Sequence, residues 1–125
     1  MKRYIVVAVL LVSSAANASE LDWKWTKTDT ALQVTWTAMH LLDWSQTRKI
    51  AIEPNRYYEQ NPILGKHPSV GEVDLYMGAS TMVNLAIARA LPNPYRRYFQ
   101  MLSIGVTGAC VTMNFNIGLG GGDWF

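Results

Sequence analysis

The stretch AMHLLDWSQTR, residues 38–48, decides how this chain is read. It lies in an apolar run over residues 30–47, yet it carries His40 and, three residues on, Asp43. Residues three and four apart are neighbours on a helix surface. At that spacing Gln33, Thr37, His40, Trp44 and Thr47 form one stripe, with Asp43 at its edge, and the rest of the circumference is apolar. An ionised Asp43 facing lipid would cost at least about 2.5–3.5 kcal/mol, so the helix needs partners for it, or a proton.

Two further segments repeat the pattern. One covers residues 74–91 and stops before Pro-Asn-Pro, a strong terminator. There Asp74, Thr81 and Asn84 share a side, and Arg89 sits near the end, where it can snorkel. The other covers residues 95–119, up to a run of glycines. Its stripe is Gln100, Ser103, Thr107, Cys110 and Asn114, and Gly105, Gly108, Ala109 and Thr112 allow a close helix neighbour. No charged residue occurs over residues 99–122, a length sufficient for a bilayer of about 30 Å.

Stripes of Gln, Asn, Thr and Ser fit two environments. In water the apolar faces would meet and the stripes would face out. In a membrane the stripes turn inward, because lipid offers polar groups no partners. A solvated face usually carries Lys and Glu, and the last segment has neither, which favours the membrane. Aromatic residues near the segment ends, Trp23, Trp25, Trp44, Tyr57, Tyr58, Tyr95, Tyr98 and Trp124, suit interfacial belts. Lys and Arg are spread almost evenly between the two sides, so they set no orientation. A competing local reading is that VTMNFNIGL, residues 111–119, alternates as a strand would. Too few other segments alternate to build a barrel of at least about eight strands.

Composition agrees. Of 125 residues half are apolar and 16% are charged, against about 25% in soluble domains. A net charge of +2 from scattered basic residues does not suggest nucleic acid as a partner. A single cysteine, Cys110, excludes an intramolecular disulfide framework, and it reads as a packing residue with no base beside it. The N-terminus has a basic start, an apolar run over residues 4–12 and Ala-Asn-Ala before Ser19, the pattern of a signal peptide cleaved after residue 18. An uncleaved anchor is the alternative. The expected organisation is thus all-α: a signal peptide over residues 1–18, then one three-helix bundle over residues 19–125. The bundle is expected to be membrane-embedded in the bacterial inner membrane, with a soluble periplasmic helical protein as the alternative.

The loop between the first two helices, IAIEPNRYYEQNPILGKHPSVGE, holds three prolines and reads as ordered. Folded back over the bundle, it would bring Glu59 and Asn61 towards His40 and Asp43, and two carboxylates with an imidazole suit a divalent cation or a shared proton. The plainer reading is that Glu59 and Asn61 fasten the loop or cap the second helix, and that His40 is a satisfied interior histidine. No zinc, phosphate-loop or hydrolase motif is present, and no cofactor is implied.

The patterns LLDWSQT and YYEQNPILGKHPS, with the ending NFNIGLG, resemble a family of small bacterial and tailed-phage membrane proteins without an assigned activity. Its pattern is Asp-x-x-x-Thr on a helix and Glu-x-Asn-Pro in the following loop, here Asp43, Thr47, Glu59, Asn61 and Pro62, within a likeness over residues 28–120. The resemblance implies a membrane architecture and, if phage-encoded, action on the host envelope, with the bilayer and an envelope protein as partners. Met113 stands where some members carry a histidine beside the asparagine that matches Asn114, which weighs against a metal site. The candidate polar site is therefore His40, Asp43, Thr47, Glu59, Asn61 and Asn114, in a membrane protein that is not expected to be an enzyme. A small membrane enzyme or ion-binding protein using His40, Asp43 and Glu59 is the alternative.

Overall fold

Thr26 and Asp29 start the first helix. The Thr26 hydroxyl accepts from the Asp29 amide at 3.2 Å, and the Asp29 carboxylate accepts from the Thr26 amide at 2.9 Å, a reciprocal capping box. The structure, a computed structural model, describes residues 21–120. In it α1 spans Lys27–Ile52, α2 Val70–Ala90 and α3 Tyr95–Asn116. Ser69 and Glu72 form a second capping box at α2. Residues 1–18, where a signal peptide is expected, and Trp124 lie outside the described residues.

The described part is an all-α three-helix bundle whose only extended pairing is an isolated bridge between Asp22 and Asn93. α1 packs against both other helices, more extensively against α3, whereas α2 and α3 meet over little of their length. Of the small residues expected to allow a close neighbour only Gly108 meets one, the Met39 methyl, which would lie 3.0 Å from a Cβ there; Gly105, Ala109 and Thr112 are exposed. The ordered loop returns from α1 to α2, and Tyr57 packs with Ile50 and Leu119 in a small apolar cluster at that end.

Both α1 and α2 begin earlier than the apolar pattern suggests, because polar caps precede the apolar residues. The strand reading of residues 111–119 is corrected: α3 continues to Asn116. Val111 is buried and Asn114 half-buried, while Thr112, Met113 and Phe115 face outward, a spacing of three that overlies an accidental alternation. The chain then turns at Gly118, whose φ of +94° suits glycine.

The interior is polar. Asp29, Gln33, His40, Gln46, Thr47, Arg96, Gln100 and Thr107 are buried. The outer surface carries Val34, Leu75, Met82, Met101 and Leu102, each at least 60% exposed. Among the described residues no helix is long and apolar enough to cross a membrane. The expectation that the uncharged third segment suffices is thereby corrected. Its inward-facing Gln100, Ser103, Thr107 and Asn114 lower its average hydropathy, and the helix ends at Asn116.

Arg96 fastens one end of the bundle. It is 1% exposed and Asp29 is fully buried, with 3.0 Å between Nη1 and the carboxylate. Arg96 also donates to the carbonyls of Ala88 at 2.7 Å, Lys24 at 3.0 Å and Trp23 at 3.2 Å. Removing one partner of a buried ion pair typically costs about 3–5 kcal/mol. Arg96→Met should lower stability by about that amount. Arg96→Lys should also destabilise, since an ammonium cannot reproduce the planar fork. Denaturant unfolding followed by tryptophan fluorescence measures both, and wild-type stability in Arg96→Met would refute the anchoring role.

Candidate functional site

The polar stripes meet in pairs, and each pair is a rung between helices. Gln100 Nε2 donates to the Asp29 carbonyl at 2.9 Å and to Gln33 Oε1 at 3.2 Å. Gln33 Nε2 donates to Asn84 Oδ1, and Asn84 Nδ2 to Ser103 Oγ, both at 3.0 Å, so this rung joins all three helices. Next, Trp36 Nε1 donates to Thr107 Oγ1 at 3.0 Å. At the loop end Asn114 Nδ2 donates to Asp43 Oδ1 at 3.1 Å and to Gln46 Oε1 at 3.0 Å. Trp44 Nε1 reaches Asp74 at 2.8 Å, and Arg48 pairs with the same carboxylate.

Because α2 and α3 meet so little, a groove opens between them, floored by α1 and enclosing about 850 Å³. His40, Asp43, Thr47, Glu59, Asn61 and Asn114 all line it, with Asn84, Ser103 and Thr107. Val83, Ile87, Leu102 and Val106 form apolar walls. The loop thus folds back over the bundle, and the Glu59 charge acts on Asp43 across the groove. Sequence reasoning placed Cys110 in the inward stripe, but it is exposed on the groove wall. It missed Trp36 and Gln46 as inward groups. Both are buried because α1 serves two neighbours and so buries more than one stripe.

Each candidate has a structural task. Glu59 accepts from the amides of Gln60 and Asn61 at 3.0 Å, and Asn61 Oδ1 accepts from the Ile63 amide at 3.0 Å, so these side chains fasten the loop. His40 Nε2 lies 3.1 Å from the Met77 carbonyl. That oxygen can only accept, so Nε2 carries the proton. The ring also stacks on Trp36 at 4.6 Å. The Thr47 hydroxyl donates to the Asp43 carbonyl at 2.8 Å.

Most hydroxyls of the site are engaged within their own helices. The hydroxyls of Ser80, Ser103, Thr37, Thr47, Thr81 and Thr112 each donate to a carbonyl one turn earlier in their own helix. A nucleophile needs a base within about 2.6–3.2 Å to take its proton, and a carbonyl is none. Among the described residues no three His, Cys, Asp or Glu side chains converge to hold a metal ion. No family model matches the chain, and neither a curated protein nor a solved structure does.

Asp43 tests the structural role. Asp43→Asn keeps an oxygen for Asn114 and removes the repulsion with Glu59, so folded protein should accumulate as in wild type. Asp43→Leu leaves one Asn114 N–H without its acceptor, the other still bonding Gln46, and should cost about 1–3 kcal/mol. Yields of monodisperse protein compare the two variants, and equal yields would mean that the Asp43–Asn114 contact contributes nothing.

Proposed function

We propose that the chain is an integral membrane protein of the bacterial envelope, embedded as a bundle, whose polar side chains specify helix packing rather than carry out a reaction. The observation that supports this most is a charge-free apolar band around a polar interior. α2 has no charged residue between Asp74 and Arg89, and α3 has none beyond Arg97. On α1 only Asp43 interrupts the band between Asp29 and Arg48, and Asn114 satisfies it from within. Residues 98–116 of α3 span about 28 Å at 1.5 Å per residue, close to the apolar thickness of a bilayer. Trp23, Trp25 and Tyr98 lie at one end of the band, Tyr57 and Tyr58 at the other, as interfacial aromatic residues do.

The modest hydropathy of the single helices is compatible with this placement. Average hydropathy sums a helix over its whole circumference, whereas lipid meets only the outer face. The amides and hydroxyls that lower the average bond to one another or to their own helix. The motif resemblance points the same way and suggests action on a host envelope if the chain is phage-encoded. The inner membrane is the proposed location. The second reading, an ion-binding or enzymatic use of His40, Asp43 and Glu59, rests on the two carboxylates that share the groove.

Two measurements test the membrane placement. After alkaline carbonate treatment a tagged chain should stay in the membrane pellet, and release without detergent would promote the soluble periplasmic alternative. Met82→Lys and Val34→Lys place a charge on outward faces that are 68% and 62% exposed. In lipid each should cost about 2–3 kcal/mol and reduce membrane accumulation. On a water-facing surface each would stay within about 0.5 kcal/mol of wild type.

A further inference from the structure

The two ends of the bundle balance their surface charge differently. At the loop end Arg48 faces Asp74, and Lys49 and Arg56 both face Glu53, so these cations meet carboxylates. At the α2–α3 turn Lys24, Lys27, Arg89 and Arg97 are all exposed, and among the described residues Asp22 is the one exposed carboxylate of that end. We propose that this basic end binds the phosphate of an anionic phospholipid headgroup, a reading that rests on the membrane placement above.

The site is built around the Trp25 ring. Trp25 Nε1 donates to Thr30 Oγ1 at 2.7 Å, which holds the indole at the start of α1. The Arg89 guanidinium lies 4.2 Å from the ring centroid and that of Arg96 lies 4.9 Å from it. The two arginines differ in what they have left to offer. Arg96 is buried, and its donors go to Asp29 and to the carbonyls of Ala88, Lys24 and Trp23. Arg89 is exposed, and among the described residues it faces no carboxylate and donates no hydrogen bond. The indole thus positions a guanidinium whose N–H groups remain available to an anion.

Arg97 is in a similar state. Its Nε lies 3.8 Å from Asp29 Oδ1, the other oxygen of that carboxylate is taken by Arg96, and its side chain is 44% exposed. One carboxylate does not neutralise two guanidiniums, so positive charge remains at the surface. Lys24 and Lys27 flank Trp25 in the chain and add to it. The planar fork of arginine matches the oxygens of a phosphate.

The depth suits a lipid rather than a free anion. Arg89 and Arg97 are the charges that close the uncharged stretches of α2 and α3. Trp23 and Tyr98 at the same end are 60% and 63% exposed, and aromatic rings settle at the level of headgroups. One turn further along α3, Met101 and Leu102 are 60% and 66% exposed, an apolar surface for the acyl chains of the same lipid and of no use to free phosphate.

The test uses the full chain in neutral detergent, titrated with phosphatidylglycerol and phosphatidylcholine that carry the same fluorophore, with anisotropy as the readout. Phosphatidylglycerol should bind more tightly, and added salt should narrow the difference. A basic side chain near an anionic lipid surface strengthens association about fivefold, so Arg89→Gln with Arg97→Gln should weaken phosphatidylglycerol binding about 25-fold and leave phosphatidylcholine unchanged. Lys24→Gln with Lys27→Gln, at side chains that make no hydrogen bond or ion pair among the described residues, should weaken it in the same direction. Arg56→Gln with Lys66→Gln removes the same charge at the loop end and should leave binding as in wild type. Equal binding of the two lipids, an equal loss from the loop-end pair, or displacement of the lipid by an equal concentration of inorganic phosphate would each overturn the proposal. A chain that stays in carbonate-washed membranes but prefers neither lipid overturns the headgroup site alone, whereas release by carbonate overturns the membrane placement and the site together.

Discussion

The buried contact between Arg96 and Asp29 is the constraint on which the rest of the bundle depends. One guanidinium reaches the last turn of α2 through the Ala88 carbonyl, the start of α1 through Asp29, and the extended chain before α1 through Trp23 and Lys24. Asp29 is at once the helix cap, the counter-ion and the acceptor for Asn93 Nδ2 at 3.1 Å. Desolvating two charges is costly, so such a pair is a poor source of net stability. Its effect here is positional. It favours one register of α3 against α1, since a shift by a turn would part the buried guanidinium from the Asp29 carboxylate.

That register aligns the rungs above it. Gln100 lies one turn above Arg96 and meets Gln33, itself one turn above Asp29. Thr107 meets Trp36, and Asn114 meets Asp43, as the two helices continue in step. Apart from the Asp43 carboxyl, the rungs join amides, hydroxyls and an indole N–H, groups that bond firmly when water is scarce and that carry no charge. Gly108 leaves room for the Met39 side chain of α1 to lie against α3. The interior therefore encodes register by polar matching.

Much of this was legible in the sequence. The stripes at steps of three and four gave the inward faces of α1 and α3, since helical periodicity is a property of the backbone alone. The three-helix architecture followed from Pro-Asn-Pro and from the glycines after the last segment. Other features were not legible. The capping boxes at Thr26 and Ser69 lie in polar stretches with no apolar period, so the helix starts were read too late. Arg96 resembled any basic residue near a helix end, and only the fold shows that it joins three other segments. The candidate residues His40, Asp43, Thr47, Glu59, Asn61 and Asn114 do line one groove, but their bonding partners depend on rotamers that spacing does not specify. Thr47, for example, bonds its own helix backbone.

The two ends of the groove differ for a physical reason. At the Arg96 end opposite charges are buried together, and backbone carbonyls accept the remaining donors, so the charge there is compensated within the described residues. At the loop end like charges share a wall. Asp43 is held by Asn114 from α3, and Glu59 by the amides of its own turn, so neither carboxylate can swing away without breaking a bond. Asn61 stiffens that turn further by bonding the Ile63 amide just before the Gly65 turn. The fixed placement of the two carboxylates is the property that separates this end from the rest of the ladder.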